Sequence, residues 1–132
     1  MAESARGTKK SKPLGKRLLN TLRKQLETER EELTESVRRL EADFRDESWK
    51  EPRSDDDAET GSATFERERT MSLAQNARAM ILQIDRALAR MEAGSYGQCA
   101  SCGDAINPER IEAVPHTIHC LDCQRKAERS LR

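Results

Sequence analysis

Four cysteines are the residues of this chain best suited to chemistry: Cys99-x-x-Cys102, seventeen intervening residues, then Cys120-x-x-Cys123. Thiols paired at two-residue gaps, with the pairs roughly 15–20 residues apart, have the spacing of a zinc site. One tight turn presents both sulfurs of a pair to the same ion, and two such turns complete a tetrahedron of Zn–S bonds of about 2.3 Å. All four cysteines of the chain fall in the pattern. A closed four-sulfur shell has no position for a catalytic water, so the Zn²⁺ predicted on Cys99, Cys102, Cys120 and Cys123 is structural. His116 and His119 lie close by, but the paired cysteines already complete the shell, which leaves the histidines exposed or beside the site. Disulfides are disfavoured, because MAESARGTKKSKPLGKR lacks the apolar run of a secretory signal. No βαβ pattern precedes Cys99, as a thioredoxin-like redox pair would require.

The elements that must hold these sulfurs are helical. Of 132 residues, 36% are charged and only 3% aromatic, which is too little apolar bulk for a large globular core. Such a chain is stabilised by long helices sharing a narrow seam, with a metal stapling the remainder. From near Pro13, Leu18, Leu22, Leu26, Leu33, Val37, Leu40 and Phe44 recur at helical spacing, predicting a helix of roughly thirty residues and roughly 45 Å. The pattern fails between about Asp46 and Ser62, where Pro52, Gly61 and the Ser54–Asp57 run favour turns. A second helix is predicted over Ala63–Glu92, with Leu73, Ala77, Met80, Ile81, Ile84, Leu88 and Met91 as its seam and Met71 counted beside them. Gly94 then ends it. Ile106, Ile111, Val114, Ile118 and Leu121 supply a small apolar cluster around the metal, and a last helix starts near Leu121, with Cys123 in its first turn.

The predicted fold is therefore all-α. It comprises a long antiparallel coiled-coil hairpin over 13–94 with its tip near 46–62, and a zinc module with a C-terminal helix over 95–132. A basic, disordered tail occupies 1–12. In such a hairpin the connector lies roughly 40 Å from the zinc module.

Zero net charge conceals strong segregation. Residues 1–24 carry eight basic side chains against Glu3, whereas residues 25–68 carry sixteen acids against seven bases. Nine of those acids fall within 41–59, at the expected tip. The predicted molecule is a finger with an acidic end and a basic tail. No stretch approaches the roughly 18 apolar residues of a membrane span, and reduced thiols suit the cytoplasm.

The segment Tyr96-Gly97-x-Cys99-x-x-Cys102-Gly103, Ile106, Arg110-Ile111-x-Ala113-x-Pro115 and Cys120-x-x-Cys123 resembles the zinc module of the DksA/TraR family. The resemblance extends to the helical hairpin before it. It implies a bacterial transcription regulator that binds RNA polymerase directly and needs no DNA sequence; a monomer is expected. It further implies a coiled coil that enters the secondary channel with acidic residues at its tip. The family's tip motif, Asp-x-x-Asp-x-Ala, falls by gapless counting from Cys99 on Asp56, Glu59 and Gly61, with Asp55 and Asp57 adding charge. The family's basic residues for guanosine tetraphosphate fall on Gln83, Val114 and Gln124, none of which neutralises a phosphate, so no alarmone site is expected.

Two other uses of the chain are open to the sequence. Lys9, Lys10, Lys12, Lys16 and Arg17 could contact the phosphates of a nucleic acid, although the module offers few aromatics for stacking. The coiled coil could also serve as an adaptor for another helix. An enzyme is not expected, since no nucleophile–base set, phosphate loop or open metal site is present in the sequence.

Overall fold

The computed structural model describes residues 14–45 and 57–130. Four helices account for most of them: α1, Lys16–Arg45; α2, Asp57–Ala93; α3, Pro108–Ala113; and α4, Leu121–Ser130. Among the described residues the all-α expectation holds, with an isolated bridge between Gln98 and Ala105 as the sole β-type pairing. The expected basic tail and residues 46–56 of the expected connector, including Asp55 and Asp56, lie outside the described residues.

Helix α1 runs for thirty residues on the predicted stripe. Leu22, Leu26 and Val37 are buried, and Leu18, Leu33, Leu40 and Phe44 are half-buried. Helix α2 differs from expectation at its start, beginning at Asp57 and not at Ala63, and it contains Gly61. Acids are favoured in a first turn, and an internal glycine costs only about 1 kcal/mol, too little to halt a helix that is packed further along. At the other end Gly94 takes φ +77. The Ser95 N–H then reaches the Arg90 carbonyl at 2.9 Å, closing off the orphan carbonyls of the last turn.

The buried face of α2 corrects two further expectations. Leu73 is 44% exposed and Met71 47% exposed, whereas Ala74 is 5% exposed. The seam runs through Ala74, Ala77, Ile81, Ile84, Leu88 and Met91, an unbroken alternation of three- and four-residue steps, with Ala87 buried alongside. Leu73 stands one residue, about 100°, outside that alternation. Side-chain hydrophobicity favoured Leu73, but the phase of the helix placed the smaller neighbour inside.

The chain forms two compact units. One contains Glu29–Leu82. Within it Val37, Ala74 and Ala77 are buried, Arg78 pairs with Glu41, and the Arg67 guanidinium lies 4.4 Å over the Phe44 ring. These contacts join later residues of α1 to earlier residues of α2, the mark of an antiparallel pair. The other unit contains α1 up to Thr28 and the chain from Gln83 onward. Leu22, Leu26, Ile84, Ala87 and Met91 form its helical core, continued by Ile106 and Ile111 of the small module. Arg23 and Glu92 approach to 4.0 Å at its surface, an exposed pair of little energetic weight.

Candidate metal centre

The first cysteine pair sits on a turn that the backbone closes several times. The Cys99 N–H donates to the Asp104 carbonyl at 2.7 Å, and the Gly103 N–H donates to the Cys99 carbonyl at 2.9 Å. Gly103 turns the chain at φ +81, a conformation that a side chain would oppose. The result points the Ser101 N–H at the Cys99 Sγ, 3.4 Å away. The second pair uses a helix start. Cys120 stands immediately before α4 and Cys123 lies in its first turn, as predicted, with the Cys123 N–H 3.4 Å from the Cys120 Sγ. The positive end of the helix dipole favours thiolates at that position. One further bond, from the Ala100 N–H to the Ile118 carbonyl at 2.8 Å, ties the two turns together.

These turns bring all four sulfurs within 4.8 Å of one another. Cys102 Sγ and Cys120 Sγ are 3.8 Å apart. A tetrahedron with metal–sulfur arms of about 2.3 Å has edges of about 3.8 Å, so this pair already stands at the distance that zinc requires. All four cysteines are free thiols, and Cys99 is buried. Neither His116 nor His119 joins the sulfur cluster. The Nδ1 of His119 lies instead 3.1 Å from the Ser101 hydroxyl.

The electrostatics of the cluster call for a cation. Burial works to raise the Cys99 thiol, but hydrogen bonds from the backbone of Cys102, Cys120 and Ser101 and from the His119 side chain bring it to about 5. Cys123 is pushed up to about 12, chiefly by its contact with the Cys120 side chain and then by burial. Thiolates crowded this closely repel one another, and a divalent ion relieves the repulsion by binding them all deprotonated. The residues present fit Zn²⁺: four soft donors, tetrahedral spacing and N–H donors aimed at the sulfurs. Cys99, Cys102, Cys120 and Cys123 hold one structural zinc.

Several supports of the module were not legible as such in the sequence. Tyr96 donates its hydroxyl to the Pro115 carbonyl at 2.7 Å, across nineteen positions of chain. Arg90 reaches the carbonyls of Ser95 and Gln98, at 3.3 and 3.0 Å. Arg110 Nε donates to the His119 carbonyl at 3.1 Å, and the Thr117 hydroxyl donates to the same oxygen at 2.8 Å. Tyr96, Arg110 and Pro115, all within the motif quoted above, were the sequence signals pointing to them.

Beside the metal centre, a groove of about 530 Å³ is bounded by α2, α4 and the 114–119 segment. Gln83, Val114 and Gln124 line it together, and so do Arg86, Arg110 and Arg125, which sequence reasoning had not grouped with them. Of the expected tip residues, Asp57 and Glu59 lie in the first turn of α2.

Comparison with known proteins now bears directly on the four-sulfur centre. Residues 94–129 match the prokaryotic DksA/TraR C4-type zinc finger. Over those residues the chain carries a zinc finger of the DksA/TraR type. It is 37% identical over 83 residues to an uncharacterized protein of Aquifex aeolicus, covering 63% of this chain and 56% of that one. It is 35% identical over 72 residues to the RNA polymerase-binding transcription factor DksA of Caulobacter vibrioides, covering 54% of this chain and 51% of the relative. The chain therefore spans about half the length of these curated relatives. The fold also matches the structure of transcription factor DksA2 from Pseudomonas aeruginosa, with a TM-score of 0.72 over 100% of this chain and 99% of that one, at 21% identity.

Proposed function

We propose that this DksA-like chain is a transcription regulator, not an enzyme, that binds RNA polymerase directly. In this reading the hairpin enters the secondary channel and its acidic tip modulates initiation. The observation that carries the reading is the combination of the DksA/TraR zinc finger with a preceding pair of long antiparallel helices. The segment joining those helices lies in the most acidic stretch of the chain, 41–59. Support also comes from the Caulobacter relative, itself named an RNA polymerase-binding factor. An acidic finger is suited to a basic channel and to the metal and cationic groups of a polymerase active centre.

Asp55, Asp56, Asp57 and Glu59 form the proposed tip, with Asp56 and Glu59 on the two acidic positions of the family motif. The zinc holds the base of the finger. Capture of polymerase by the full chain, followed by single-round transcription with the wild type, Asp56→Ala and Glu59→Ala, tests the assignment. The expected outcome is retained capture with a lost or strongly reduced effect on transcription. If neither substitution alters an effect that the wild type produces, the tip assignment is wrong.

The proposed regulator works without guanosine tetraphosphate, because uncharged side chains occupy all three positions to which the family's basic residues carry over. The arginines of the groove stand at other positions, and Arg110 already spends its Nε on the His119 carbonyl. Alarmone affinity of the polymerase complex is expected to equal that of polymerase alone, and a clear rise would refute this part of the proposal.

A further inference from the structure

The groove beside the metal centre holds more positive charge than its own walls neutralise. Arg86, Arg110 and Arg125 reach it from three helices, α2, α3 and α4, and Glu128 is its single acid among the described residues. That acid is already engaged, accepting from the Gln124 amide at 3.3 Å. Arg86 and Arg125 are exposed and carry no ion pair among the described residues, whereas Arg38 and Arg78 have carboxylate partners. Val114, Ile118 and Leu121 add apolar surface, with Leu121 46% exposed. Unpaired guanidinium groups beside apolar surface suit a segment that joins carboxylates to one large apolar side chain. They suit nucleic acid less well, because no Phe, Tyr or Trp lines the groove for base stacking.

The chain itself contains such a segment. Residues 46–56 carry Asp46, Glu47, Glu51, Asp55 and Asp56 on either side of Trp49, the sole tryptophan, against Lys50 and Arg53. We propose that the arginine groove is a self-association site that takes this Trp49-centred segment from a second copy of the chain. Trp and Arg are the side chains that most often dominate the centres of protein interfaces. Zero net charge removes any overall repulsion between copies while leaving the two patches opposite in sign. The segment cannot serve its own groove. It ends where α2 begins at Asp57, and Gln83 stands 26 residues further along that helix, roughly 39 Å of rise. An eleven-residue segment tethered at both ends reaches only roughly 20 Å. Every copy carries both surfaces, so two copies serve each other reciprocally and close as a pair. The pair replaces the monomer expected from the sequence and withholds the acidic segment from other partners. The inference concerns the chain alone and does not depend on polymerase binding.

The test follows the zinc-loaded full chain by analytical ultracentrifugation and by Trp49 emission over a rising protein concentration. The wild type is expected to pass from the mass of one chain to that of two. Its emission should shift to the blue as the indole leaves water, and high salt should reverse both changes. Arg86→Glu with Arg125→Glu makes the groove acidic, and Glu47→Lys with Glu51→Lys makes the segment basic. Each double variant alone is expected to associate about tenfold more weakly than the wild type. Mixed in equal amounts, they offer a basic segment to an acidic groove and an unaltered segment to an unaltered groove, so pairing is expected to return. Misfolded variants could not restore it. A wild type that keeps the mass of one chain throughout overturns the proposal. So does association that both double variants retain, or that their mixture fails to restore. A blue shift at the mass of one chain means that the segment occupies its own groove. Binding of a labelled oligonucleotide by a wild type that never pairs means that the arginines serve phosphates. Either result also overturns the proposal.

Discussion

Tyr96 is the sole tyrosine of the chain, so its ionisation can be watched without interference. Burial raises its pKa from 10.0 to about 12. Its hydroxyl is also the donor to the Pro115 carbonyl. A group whose folded pKa lies above its unfolded value contributes stability that is fully present below the unfolded pKa and is lost as pH rises through the folded one. The folded protein is therefore expected to lose stability between pH 10 and 12, and Tyr96→Phe to lack this component. Ultraviolet titration of the phenolate should give a midpoint near 12 in the folded chain and near 10 in denaturant; coincident midpoints would remove the argument. At neutral pH, Tyr96→Phe should cost about 1 kcal/mol in a denaturant melt, the net worth of one hydrogen bond.

At the scale of elements, α2 carries two opposite expectations. Ile84 is fully buried in the seam, and Ile84→Ala is expected to destabilise the chain by about 2–5 kcal/mol, read as a lower denaturation midpoint at an unchanged slope. Gly61 sits inside the same helix, lacks a positive φ, and has nothing within 4 Å of where a Cβ would stand. Gly61→Ala should therefore stabilise α2 by about 0.5–1 kcal/mol. Much of this level was legible beforehand. The stripe of α1 from Leu18 to Phe44 and the stop at Gly94 appeared as read, because 3.6-residue periodicity and glycine termination act within a few residues. The start of α2 and the exposure of Leu73 were not legible. Both depend on where one helix faces its partner, which no local window contains.

At the scale of the molecule, metal removal should divide the chain. Helix α4 has no buried residue, and α3 buries only Ile111. Neither short helix can persist by propensity alone, since isolated helices below about 12–15 residues are marginal. A chelator is expected to abolish hydrogen-exchange protection over 94–130 while Ala74 and Ala77 of the long pair stay protected; retained protection in α4 would show that packing, not zinc, holds it. The same measurement explains why so polar a sequence keeps a defined module: the thiolates do what the sparse apolar residues cannot.

The sequence by itself determined the metal chemistry, because two residues between cysteines set where one turn can place its sulfurs, and it determined that two long helices precede them. Only the tertiary structure brought together residues that are distant in the chain: Tyr96 with Pro115, His119 with Ser101, and Gln83 with Val114, Gln124 and three arginines around one groove. It also decided that Ala74, not Leu73, enters the seam. Coordination spacing and helix period act over a few residues and are written in the order of the chain. The phase of one helix against another and the meeting of separate turns at one ion are set by packing across the whole fold.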